Sequence, residues 1–328
     1  MLALLETVAR VPILRVLSLG AGVQSTTLAL MAAHGEIGPM PDCAIFSDTG
    51  WEPRHVYEHL RWLASGNVLP FPVHTVSAGN LREDLLNRGS GRAGRFVTVP
   101  FFLRRIVPAG TVVPVYDEDE DGEMIVVGER VTTREEQIDG IGRRQCTSHY
   151  KVEPIRRKVR ELLGAGPRDA IPAGAVEKWI GISVDEIVRA TPSKVKFEVN
   201  RHPLLEKGMN RNGCFDWLEA KGYPVVRPKD VRPDRPQWPP KSSCEGCPFH
   251  DATMWREVMA DPARRADVVE VDRAIRKPID RPGVPTMQAE QFMHRQRVPI
   301  EEVDFSTAAD RGQAEFGFLH ECEGMCGV

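Results

Sequence analysis

The sequence predicts an α/β protein: a parallel sheet with helices on both faces, interrupted by an inserted hairpin and followed by a helical, cysteine-bearing C-terminal region. Three observations carry this expectation. Short apolar, partly β-branched runs alternate with stretches of helical spacing at the start of the chain. Gly-containing turns follow two of those runs, as they do at the carboxyl ends of strands in open parallel sheets. Between residues 88 and 142 the alternation breaks, which reads as an insertion. The expected organisation is an α/β domain over 1–187 carrying the insertion 88–142, then a cysteine-rich, metal-binding region and tail over 188–328.

The first strand is the run ILRVLS at 13–18, followed by GAGVQST at 20–26 and by a segment whose apolar positions suit a helix. The second strand, CAIFS at 43–47, runs into Asp48-Thr49-Gly50, and the helix after it has Pro53 near its start, where a missing N–H costs nothing. A third unit begins at FPVHTVSA. Within the insertion, RGSGRAGRFVTVPFF is basic and glycine-rich and TVVPVYDEDEDGEMIVVGERV reads as two strands joined by an acidic tip, together an inserted hairpin and flexible loop over the site. Helical spacing resumes at 153–163, and EKWIGIS at 177–183 is a further core strand. Residues 189–211 hold the densest local basic excess, and a proline-rich connector leads to Cys244-Glu-Gly-Cys247 and a polar helical tail.

Composition excludes several classes. The net charge of −3 gives no global positive field, so any nucleic-acid contact must be a local patch. No stretch approaches the roughly 18–20 uninterrupted apolar residues of a membrane span, and the expectation is a cytoplasmic protein with no membrane partner. In a reducing compartment seven cysteines argue for metal or thiol chemistry rather than a disulfide framework.

The 20–26 loop has two readings. Its glycines let main-chain N–H groups approach an anion, and the start of a helix adds partial positive charge, so a pyrophosphate fits; equally, it is a tight turn. It has neither the Gly-Lys-Ser/Thr ending of P-loops nor the Gly-x-Gly-x-x-Gly of dinucleotide binders.

Gly20-Ala21-Gly22-Val23-Gln24-Ser25 resembles the PP-loop of ATP pyrophosphatases, usually Ser-Gly-Gly-x-Asp-Ser. Gly20 replaces its first serine and Gln24 its acidic residue, with Ser18 a nearby hydroxyl. Asp48-Thr49-Gly50 resembles the Asp-Thr-Gly of the phosphoadenylylsulfate reductase branch, and CTSHYKVEPIRR at 146–157 resembles its Cys-x-x-x-Lys-x-x-Pro-Ile/Leu element. The resemblance implies an adenine nucleotide alpha hydrolase-like fold. It places the terminal phosphates of ATP, or of an adenylylated sulfate, on Gly20, Ala21, Gly22, Gln24, Ser25 and Thr26. The adenosine would lie near Asp48 and Thr49, with Lys151 pairing phosphate or sulfonate oxygens. Without the motif, Lys151 reads as a solvated helix-start lysine.

Cys244 and Cys247 have metal-ligand spacing, which alone leaves zinc, iron–sulfur and a redox pair open. The same family places cluster cysteines where Cys146 lies, which makes Cys146 the third expected ligand of a [4Fe–4S] cluster. Cys214 is the expected fourth, with burial as a small apolar residue as its rival reading and Cys322 or Cys326 as alternative ligands. Cys43 reads as core. The tail HECEGMCGV resembles the Glu-Cys-Gly segment that carries the family's nucleophile, so Cys322 and Cys326 are also candidate catalytic thiols, one attacking and one resolving. His149, His202 and His250 read as neighbours of these motifs rather than ligands.

Two enzymatic functions follow from the resemblance, with a third, non-catalytic reading beside them. The first is AMP-forming adenylation with Mg2+, coupled to iron–sulfur-dependent sulfur transfer, as in the ATP pyrophosphatase subunit of DNA phosphorothioation and the tRNA thiolases. DNA or tRNA would lie on the basic residues at 92–105 and 189–211, and a sulfur or electron donor protein would be a partner. The second is reduction of phosphoadenylylsulfate or adenylylsulfate with release of sulfite. The third is a nucleotide-binding protein with structural zinc.

Overall fold

The computed structural model describes residues 12–87, 99–118, 124–232, 235–278, 289–306, 310 and 312. Its centre is a five-stranded, all-parallel sheet. β1 (Leu14–Leu19) lies between β2 (Cys43–Asp48) and β8 (Val176–Ile180), with β3 (Val73–Ser77) outside β2 and β9 (Glu198–Arg201) outside β8. The register sets Leu17 beside Ala44 and Trp179, and Ser18 beside Ile45 and Ile180. Helices cover both faces, an arrangement compatible with a Rossmann-like α/β fold.

The period-two alternation of the strands divides the core. Leu17, Leu19, Ala44, Phe46 and Trp179 pack on one face with α1 (Val23–Ala33), α2 (Arg54–Leu63) and α7 (Arg211–Ala220). Val16, Cys43, Ile45 and Val176 point to the other face, where Ile155 and Val159 of α5 (Glu153–Leu162) meet them. Each such fully buried aliphatic or aromatic side chain contributes about 1.5–3 kcal/mol. α5 is entered through a short α4 (Gln145–Thr147) and a π-helical turn over Ser148–Val152. That wider turn is pinned to the end of β2, because the Ser47 hydroxyl donates to the Tyr150 carbonyl at 2.5 Å.

The sheet runs on past residue 187. β9 pairs with β8 beyond it, Val176 opposite Glu198, and α7 then packs on α1 through Cys214, Phe215 and Leu218. The α/β unit needs these segments because β8 would otherwise present an unpaired edge and α1 an uncovered apolar side.

In the insertion, β5 (Val112–Glu118) pairs antiparallel with β6 (Met124–Val131), while the tip at 119–123 lies outside the described residues. The flanking strands β4 (Phe102–Val107) and β7 (Glu136–Ile141) pair with each other, and β10 (Glu290–Phe292) joins β4 on its other side. α3 (Leu81–Leu86), α8 (Ala252–Ala260) and α9 (Pro262–Arg276) pack with this sheet around Trp51, Phe101, Tyr150 and Trp255. The segment read from sequence as a polar tail is thus amphipathic, with Val258, Val268, Val271 and Ile275 buried. Among the described residues no helix is long and apolar enough to cross a membrane.

Candidate functional site

β1 and β8 are neighbours, but the chain leaves them in opposite directions across the sheet, β1 toward β2 and β8 toward β9. The crevice beyond their carboxyl ends is where open parallel sheets bind ligands. It holds a cavity of about 130 Å³, room for a phosphate chain or a few waters, lined by Ser18, Gly20, Gly22, Gln24, Ser25 and Lys151 of the sequence-predicted set.

α1 starts at this cavity. Its N-cap is Gly22, which brings no side chain to its first N–H groups, and its first turn has no acidic residue. Asn210 caps α7, Asp251 caps α8 and Asp261 caps α9, whereas α1, like α2 and α5, starts without a side-chain cap. The α1 start therefore offers main-chain donors and the positive end of a helix to an anion. Two close approaches shape it. A Cβ on Gly181 would sit 2.9 Å from the Ser25 nitrogen, so only glycine lets β8 pass this close. Ala21 holds φ 56 while fully buried, a left-handed backbone that a side chain adopts at a cost.

Cations from distant segments close the cavity: Lys151, Arg189, Arg211 and Lys241, against Glu186. Arg189 pairs with Glu186 at 2.7 Å and Lys241 with Asp251 at 2.8 Å. The Arg211 Nε is buried without a hydrogen-bond partner. Burial pushes the Glu186 carboxyl above its ordinary range, against the pull of Arg189. Arg189 and Arg211 belong to the basic run noted in the sequence. Glu186 and Lys241 were not anticipated, since each is an ordinary surface-type residue until the fold brings it to the loop.

Four residues of the predicted nucleotide set do not line the cavity: Ala21, Thr26, Asp48 and Thr49. The Asp48 carboxylate closes its own turn, accepting from Gly50 N–H and from the Tyr57 hydroxyl, each at 2.8 Å. Thr49 is buried, its hydroxyl 3.2 Å from Glu52 Oε1 and 3.3 Å from Cys244 Sγ. Thr26 is buried, with Oγ1 2.8 Å from His59 Nε2. These hydrogen bonds shape the turns around the site.

The cysteine turn adjoins the cavity. Ser242 and Ser243, just before Cys244, line it, and the Cys244 thiol lies 3.8 Å from Glu52 Oε1. The same carboxylate oxygen is 3.7 Å from Lys151 Nζ, so Glu52 stands between the cysteine turn and the phosphate cavity. The turn is closed by Cys247 N–H to the Cys244 carbonyl at 3.2 Å and seated on Trp51, whose ring leaves no room for a Cβ at Gly246. Cys146 and Cys244 pack against the same apolar cluster.

Cys214 is elsewhere. It is fully buried in the core between α7 and α1, where desolvation pushes its thiol up to about 12, and the burial reading replaces the ligand reading. Cys43 is likewise core, raised to about 11. Cys322 and Cys326 lie outside the described residues. Among the described residues no group of three or more His, Cys, Asp or Glu side chains is disposed to hold a metal ion, so these residues by themselves do not fit a four-thiolate cluster.

The basic stretches are partly consumed by the fold. Residues 92–98 lie outside the described residues, Arg104 pairs with Glu290, and Arg201 pairs with Glu206. Lys194, Lys196 and Lys207 remain on the surface. No known protein-family model, curated protein or solved structure matches this chain.

Proposed function

We propose that this chain is an ATP pyrophosphatase that forms an adenylated intermediate and passes the activated acceptor to a sulfur nucleophile, the acceptor being nucleic acid. The observation that carries the reading is the cavity itself: an uncapped helix start in a crevice beyond a parallel sheet, ringed by cations from three other segments.

The α1 amides, the Ser25 hydroxyl and Arg211 would hold the β- and γ-phosphates, and Lys151 would neutralise charge nearer the α-phosphate. Mg2+ would shield the phosphates when bound. An acceptor oxygen attacks the α-phosphorus, the α–β bridging P–O bond breaks, and pyrophosphate leaves into the cation-lined cavity. Hydrosulfide supplied by a donor protein then attacks the atom bearing the adenylated oxygen, and the new bond to sulfur forms as AMP departs with that oxygen. The adenylation makes a poor leaving group a good one, and fixed cations stabilise the charge that develops.

Incubation of anaerobically purified protein with α-labelled ATP, alone and with DNA or tRNA, tests this. AMP and pyrophosphate formed in the presence of nucleic acid support the reading; ADP, or no turnover with any acceptor, defeats it. Sulfite released from adenylylated sulfate in a parallel tube would select the reductase instead.

A further inference from the structure

A second cavity, of about 390 Å³, lies under α5 on the β8–β9 side and shares Ser18, Lys151, Ile155 and Ile180 with the phosphate cavity. Its wall carries Arg144, Lys151, Arg156, Lys178 and Lys194, and one carboxylate, Glu198. Glu198 is buried and already engaged by Lys178 at 2.9 Å and Arg156 at 3.5 Å. Lys151 also faces Glu52 at 3.7 Å, and two acids against five cations leave the cavity a positive excess in a partly desolvated setting, where an anion is bound strongly.

Three buried polar atoms in the same wall have no hydrogen-bond partner: Arg144 Nη2 and Arg156 Nε, both donors, and Asn200 Oδ1, an acceptor. The Asn200 amide nitrogen is spent on the Thr191 carbonyl at 2.8 Å, which fixes that side chain with its oxygen unmatched. Leaving such atoms buried and unmatched is unfavourable, and a ligand that matches them must present an oxyanion and a hydrogen-bond donor together. A sugar phosphate has both, in its phosphate oxygens and its hydroxyl or base N–H groups.

We infer that this cavity binds a second phosphate-bearing nucleotide unit, its phosphate toward Arg144 and Lys194 and a hydroxyl or amino group on Asn200. Lys151 is common to the two cavities, so this unit sits beside the nucleotide proposed for the first. The inference deepens the adenylation reading and rests on it only for the identity of that neighbour. Two sources share the chemistry: one nucleotide of a nucleic-acid acceptor, or an extra phosphate on the adenylate itself.

Titration calorimetry of the full chain with ATP, with 3′-phosphoadenosine 5′-phosphate and with a short single-stranded oligonucleotide separates these, using wild type, Arg144→Ala and Lys194→Glu. Lys194 is exposed, so its reversal of charge leaves packing intact even where Arg144→Ala lowers stability. The expected result is about a tenfold loss for at least one phosphate-rich probe, with ATP within about twofold of wild type. Loss confined to the oligonucleotide identifies the acceptor as the source, and loss for the bisphosphate identifies the adenylate. Equal loss for all three probes, or no loss for either phosphate-rich one, overturns the inference. A wild type that binds the oligonucleotide or the bisphosphate but not ATP keeps the second site and discards the adenylation reading.

Discussion

The side-chain amide of Gln24 donates to the Glu186 carboxylate at 3.4 Å across 162 residues of chain, and it also reaches Ser183 Oγ at 3.4 Å. The PP-loop resemblance expects an acidic residue at position 24. Here the acid comes from the segment after β8, and glutamine supplies the matching donor.

Glu186→Gln removes the one carboxylate from the phosphate cavity and should tighten Mg2+-free ATP on the order of tenfold, read by titration in chelator. Because burial holds the Glu186 pKa above 4.5, its contribution to stability is full below 4.5 and is lost as pH rises through the folded value. The variant should therefore melt higher than wild type near neutrality and level with it below pH 4.5. Gln24→Asp sets two carboxylates side by side and should weaken ATP by a similar factor. Tighter ATP in Gln24→Asp would contradict this account of the pair.

Gly181→Ala drives a Cβ against the Ser25 backbone, whereas a Cβ at Gly20 meets only the Ser25 hydroxyl at 3.7 Å. The expected cost is about 1–3 kcal/mol and loss of ATP binding for Gly181→Ala, with Gly20→Ala close to wild type in stability. Thermal melts with and without ATP read the contrast.

His59 is fully buried beside Thr26 and Trp238, and desolvation lowers its pKa to about 3. The unfolded chain binds this proton at 6.5 and the native chain does not, so the stability is complete above 6.5 and drains as pH falls toward 3. The slope is about 1.4 kcal/mol per pH unit at most. Chemical denaturation followed by tryptophan fluorescence should show that slope shrink in His59→Gln.

Gly246→Ala would drive a Cβ into the Trp51 ring and should lift the cysteine turn off that ring. Iron content after anaerobic purification and thiol labelling of Cys244 measure the effect: labelling should rise severalfold. If iron is bound, it should fall in Cys244→Ser, Cys247→Ser and Gly246→Ala alike, and a wild type without iron removes the cluster from the account.

The alternation of strand and helix, the hairpin and the loop at 20–26 could all be read from local pattern, because each is encoded by residues adjacent in the chain. What pattern does not encode is which distant segment closes a cavity. Arg189 and Arg211 stood out as part of a basic run, but Glu186 and Lys241 acquire meaning only when β8 and the connector reach the start of α1. The continuation of the sheet past residue 187 is hidden for the same reason, since β9 is a four-residue strand whose signal is the neighbour it joins. Cys214 was drawn toward the CxxC by proximity in sequence, and packing on α1 decided otherwise.

The pairing of β4 with β10 brings residues 102–104 against 290–292. During synthesis, β4 can pair with β7 at once but must wait for β10, which follows only after the long stretch of chain between residues 104 and 290 has emerged. Loop closure over such a span is slow, so this corner should be the last to consolidate and the first to recruit a chaperone.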